Sequence, residues 1–154
     1  MRRREILGTL LLTPVGFAGY HVLAGSAPSP DVELTIATDG DLLAFKPATL
    51  TCSTGAHVRL TLFHTGKYIR QDHDWVLTVP GAAIAVAKAG LKAGESAGYV
   101  RPHDRRVLAA TPLCGKGEHV SVEFIAPAPG NYPFICSYPG HDMFMHGVLT
   151  VTPG

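Results

Sequence analysis

The chain has 154 residues, enough for one domain and hardly two. Apolar residues make up 46%, so a real core is available, and 16% charged residues are too few for a coiled coil or a disordered solvating chain. Thirteen basic against twelve acidic side chains give a net charge of +1, without the basic surplus of a general nucleic-acid binder.

Residues 1–26 read as an export signal. Arg2, Arg3 and Arg4 form a basic start, an apolar run follows from Ile6 to Tyr20, and small residues close it at Ala24-Gly25-Ser26. Arg3-Arg4-Glu5-Ile6-Leu7 resembles a twin-arginine signal, which implies a bacterial periplasmic destination. The stretch Ile6 to Ala24 is 19 residues, near the minimum span of a membrane, so an uncleaved anchor is the alternative. Leu23-Ala24-Gly25 is similar to a lipobox, but Ser26 has no thiol to carry a lipid. Without three Arg and one Glu, the domain 27–154 is left with a net charge of −1 in an oxidising compartment.

The 17 Gly and 12 Pro are about a fifth of the chain, well above ordinary usage, so short strands between turns are expected. Alternating or β-branched stretches recur at Asp31–Thr38, His57–His64, Trp75–Val79, Arg106–Ala110, His119–Ile125, Tyr132–Cys136 and Gly147–Val151. This spacing predicts an all-β antiparallel sandwich. Residues 82–93 (AAIAVAKAGLKA) break the pattern and predict a short helical flap.

The chemistry is concentrated in Cys136-Ser-Tyr-Pro-Gly-His141-Asp-Met-Phe-Met145. Cys136 ends an apolar strand, Tyr138-Pro139-Gly140 turns the chain, and Gly147 starts the next strand. One loop can therefore aim a thiolate, an imidazole and a thioether at a common point. That soft set suits copper better than Mg²⁺ or Ca²⁺. Two His and one Cys in a plane with a weak axial Met make a blue-copper electron-transfer site. The second His is best supplied by His73, where a loop enters the strand Trp75-Val76-Leu77.

With these pieces together the chain resembles azurin, among the cupredoxins. The resemblance rests on His73-x-Trp75-Val76-Leu77, on Arg106-Val107-Leu108-Ala109 before a Gly-rich loop, and on Cys136-x-x-Pro139-Gly140-His141-x-x-x-Met145-x-Gly147, and it spans residues 31–152. It implies a Greek-key sandwich of about eight strands with one copper ion, Cu(II)/Cu(I), at one end. The implied ligands are His73, Cys136 and His141, with Met145 axial and the carbonyl of Asp72 as a weaker contact. It also implies a non-enzymatic shuttle of single electrons between periplasmic redox partners (cytochromes, reductases or oxidases), with no nucleic acid, and with a membrane only if the signal stays attached. A rim of Tyr138, Pro139, Met143 and Phe144 is expected to surround a solvent-reaching edge of His141 and to dock partners.

Three positions depart from the family. Asp74 stands where it has Asn, and its carboxylate is expected to accept hydrogen bonds from Ser137, tying the two ligand loops together. Asp72 replaces Gly, and Asp142 adds a carboxylate expected to lower the copper potential and favour basic partners. His64 matches a partly buried family histidine whose protonation is linked to that potential. The family's far-end disulfide finds only one half here, Cys52. Topology places Cys114 at the opposite, copper end, so both are expected as free thiols, Cys114 as a contact between molecules. A copper chaperone or store, a structural zinc domain and a mononuclear copper enzyme are the competing readings. The enzyme would need an open coordination position.

Overall fold

The computed structural model describes residues 29–154, and the expected export signal at 1–26 lies outside the described residues. Nine strands and one helix follow in order: β1 Val32–Thr38, β2 Phe45–Lys46, β3 Thr49–Ser53, β4 His57–Phe63, β5 Val76–Thr78, α1 Ala83–Ala93, β6 Val107–Ala110, β7 His119–Ile125, β8 Gly130–Ile135 and β9 His146–Thr152. One sheet has the order β2-β1-β4-β7 and the other β3-β9-β8-β5-β6. This is the expected Greek-key sandwich with a short helical flap.

Period-two patterning sets which face is buried. In β4, Val58, Leu60 and Leu62 all point inward and are fully buried, while His57, Arg59 and Thr61 face outward. They meet Phe134, Leu149 and Trp75 from the opposite sheet in one core. Burying each such side chain contributes about 1.5–3 kcal/mol before entropy is counted. β5 is buried on both faces, which explains its unbroken apolar run. Leu77 enters the main core, whereas Val76 joins Val86, Ala87 and Ile135 beneath α1.

Two features differ from the expectation. The sandwich is not purely antiparallel, because β1 pairs with β4 and β3 with β9 in parallel. Between β1 and β4 the chain crosses to the other sheet as β3 and returns, so it enters both strands from the same end. The second is the short pair β2 and β3, which the alternation did not mark.

The far end is closed by Gly55, whose N–H donates to the Ala126 carbonyl. The other end carries the β4–β5 loop, the β6–β7 loop and the β8–β9 loop. Among the described residues no helix is long and apolar enough to cross a membrane.

Candidate metal centre

Cys136 immediately follows β8, and its loop is cinched by its own backbone. The Cys136 N–H donates to the Met145 carbonyl at 2.9 Å. The His141 carbonyl accepts from the N–H groups of Phe144 at 2.9 Å and Met145 at 2.7 Å. Gly140 takes φ +80°, a left-handed conformation that costs glycine nothing and lets the chain reverse before His141. Beyond the loop, Gly147 permits close approach. A Cβ there would lie 2.3 Å from both the Ala48 carbonyl oxygen and the Phe134 ring.

His73 comes from the β4–β5 loop. Its N–H donates to the Cys114 carbonyl at 3.1 Å, and the Cys114 N–H donates back at 2.6 Å. This two-way bridge places Cys114 at the same end of the sandwich as Cys136, as the topology predicted. All three cysteines are free thiols. Cys114 is wholly buried, however, so the expected contact between molecules is ruled out at that thiol. Burial raises its pKa to about 11.

The expected clamp between the ligand loops is present in full. Asp74 is fully buried, and its two oxygens accept from the Ser137 N–H at 2.6 Å and the Ser137 hydroxyl at 2.5 Å. Burial pushes the Asp74 carboxyl up to about 6, against these two hydrogen bonds, which favour the ionised form.

These anchors bring three donor atoms together. Nδ1 of His73 lies 3.2 Å from Nδ1 of His141, and the Cys136 Sγ lies 3.8 and 3.6 Å from them. A triangle with these sides has its centre about 2.1 Å from each corner. First-row metal ions take imidazole nitrogen at about 2.0–2.1 Å and thiolate sulfur at about 2.3 Å. The spacing fits one ion. Met145 is fully buried in the core cluster that also holds Cys136.

The local electrostatics favour a neutral imidazole pair. Burial first, and then the neighbouring His141 and His64, hold the His73 pKa down to about 4. Burial also lowers His141, partly offset by Asp142. Burial and the Asp74 charge push the Cys136 thiol well above its ordinary value, so without a cation the thiolate is strongly disfavoured.

Met143 and Phe144 are exposed, at 71% and 61%, and Tyr138 and Pro139 are half-buried beside them, so the expected apolar rim forms. His141 itself is only 3% exposed, so little of its ring reaches solvent. Tyr138 lies against its ring at 4.7 Å, and the Gln71 side-chain oxygen sits 3.2 Å from its Nε2. Gln71 was passed over in the sequence, where only its place two residues before His73 marked it. His64 packs its ring 4.7 Å from that of His73. Its Nε2 donates to the Gln71 carbonyl at 2.9 Å and its Nδ1 accepts from the Gly66 N–H at 3.2 Å. Asp72 lies half-buried between Gln71 and His73, and Asp142 half-buried beside His141.

Comparison with known proteins agrees with this geometry. The family model described as copper binding proteins, plastocyanin/azurin family, matches residues 31–152. Azurin of Bordetella pertussis is 38% identical over 153 residues, covering 95% of this chain and 96% of that protein. Auracyanin-A of Chloroflexus aurantiacus is 38% identical over 130 residues, covering 83% of this chain and 77% of that protein. The solved structure of auracyanin A, described as a "blue" copper protein, superposes with a TM-score of 0.73 at 38% identity, over 78% of this chain and 98% of that one. Reduced auracyanin from Roseiflexus castenholzii superposes with a TM-score of 0.75 at 32% identity, over 81% of this chain and 100% of that one. The chain is a blue copper protein of the plastocyanin/azurin family.

Proposed function

We propose that this protein carries single electrons between exported redox proteins, with one copper held by Nδ1 of His73, Sγ of Cys136 and Nδ1 of His141. The convergence of these three buried atoms on one point carries the reading. Met145, buried in the same cluster as Cys136, would add its thioether to these donors, and the Asp72 carbonyl would be a weaker contact. Bound copper supplies a Cu(II)/Cu(I) couple, and soft sulfur donors favour the reduced form.

The chain's part is to keep the donors still. The Asp74–Ser137 clamp, the His73–Cys114 bridge and the cinched β8–β9 loop fix both ligand loops in a water-poor end of the sandwich. Little rearrangement is then needed when the charge at the site changes. A chaperone or store has no use for such rigidity, and a fourth donor from Met145 would leave no open position for an enzyme's substrate.

The apolar rim of Tyr138, Pro139, Met143 and Phe144 docks partners briefly. Cytochromes, reductases or oxidases are the partner classes, and Asp142 biases the choice toward basic surfaces. The basic and apolar segment 1–26, with its paired arginines, supports export to the periplasm. A membrane is involved only if that segment stays attached.

Voltammetry of the copper-loaded protein tests the carrier role. Reversible one-electron waves over many cycles, with no copper lost, are expected. Loss of copper on each reduction would instead support a store or chaperone.

A further inference from the structure

The position of Gln71 has a consequence for the metal centre that builds on the copper reading above. Both ring nitrogens of His141 are committed. Nδ1 faces the other two donors, and Nε2 points away from them to the Gln71 Oε1 at 3.2 Å. An amide oxygen can only accept, so Nε2 carries the proton and Nδ1 keeps its lone pair.

Gln71 is itself held in place. Its carbonyl accepts from His64 Nε2, and three successive N–H groups upstream, those of Lys67, Tyr68 and Ile69, donate to Asp41 Oδ1 at 2.8, 2.9 and 3.0 Å. The loop that carries this exposed glutamine is thus tied at two points, and the side chain lies over the buried edge of the ring.

We propose that Gln71 is a positioning residue of the copper site, whose side-chain carbonyl accepts the His141 Nε2–H, orients Nδ1 toward the metal and closes the ring edge to solvent. This polar latch would cover the His141 edge, so a docking partner would meet Gln71 before it meets the ligand.

Hydrogen exchange of the His141 Nε2–H, read by ¹⁵N-resolved NMR in the diamagnetic Cu(I) form, tests this. Removing an acceptor of ordinary strength in Gln71→Ala is expected to speed exchange by about tenfold or more. Gln71→Glu keeps an acceptor oxygen at the same reach and is expected to restore slow exchange. Arg70→Ala, next to it on the same loop, is expected to leave the rate unchanged. Exchange within about twofold of the parent rate in Gln71→Ala, or equal acceleration in Arg70→Ala, overturns the proposal. Failure of the copper reading is separately visible, as a colourless Cu(II) mixture. The same exchange comparison on the metal-free protein then still decides the Gln71–His141 bond.

Discussion

Replacing Asp74 tests how the two ligand loops are held. In Asp74→Ala the Ser137 N–H and hydroxyl both lose their acceptor inside a buried site. Hydrogen bonds to a charged group are worth about 1.5–3 kcal/mol each. Part of that is offset because a buried carboxylate no longer has to be desolvated. A net loss of about 2–4 kcal/mol is expected on this balance. Asp74→Asn behaves differently. Its carbonyl still accepts from the Ser137 N–H, and its NH₂ can donate to the hydroxyl after that rotor turns. A cost below about 1 kcal/mol is expected for it. Urea unfolding of the metal-free variants, with unchanged m-value, measures both. If Ala falls within about 0.5 kcal/mol of the parent, or Asn costs as much as Ala, the clamp is not what joins the loops.

The same carboxyl shapes pH dependence. In the metal-free protein the His73 pKa is depressed to about 4, so its contribution to stability is full above its unfolded value and is lost as pH falls toward 4. Asp74 is raised to about 6, so its contribution grows as pH falls from 6 toward its unfolded value. The two oppose each other, and their sum leaves stability nearly flat between about 4 and 6. Asp74→Asn removes one of them, and its stability is expected to drop by something on the order of 2 kcal/mol as the pH is lowered from 6.5 to 4, against a smaller drop in the parent. Gly147→Ala is expected to lower stability by about 1–3 kcal/mol, read as a fall in thermal midpoint, since its methyl group meets backbone as well as the Phe134 ring. Thiol titration of the metal-free protein is expected to find no fast-reacting group when native and three when unfolded under non-reducing conditions; one alone would mean that Cys52 and Cys114 pair.

Local signals carried most of this molecule. The C-x4-H-x3-M spacing places three donor residues on one loop because a strand end, a tight turn and a strand start follow in immediate succession. The alternation in β1, β4 and β7 marked each strand to within a residue or two, since a half-buried strand must show period two. What was hidden is non-local. The parallel pairing of β1 with β4 depends on a crossing through the other sheet, and no residue in either strand announces it. β2 has two residues, too few for any period to appear. The surroundings of His141 include one contact across 70 residues of chain, from an exposed glutamine with no motif of its own. Cys114 is hidden for a similar reason: its place in the fold follows from topology, but its burial follows from packing.

Cu(II) titration of the metal-free protein, followed in the visible, is the most direct test of the metal centre. One equivalent of Cu(II) is expected to produce an intense blue or green colour that bleaches on reduction and returns on reoxidation. Cys136→Ser, which removes the sulfur donor, is expected to abolish that colour. A colourless adduct in the parent, or an undiminished colour in Cys136→Ser, would contradict a copper centre built on His73, Cys136 and His141.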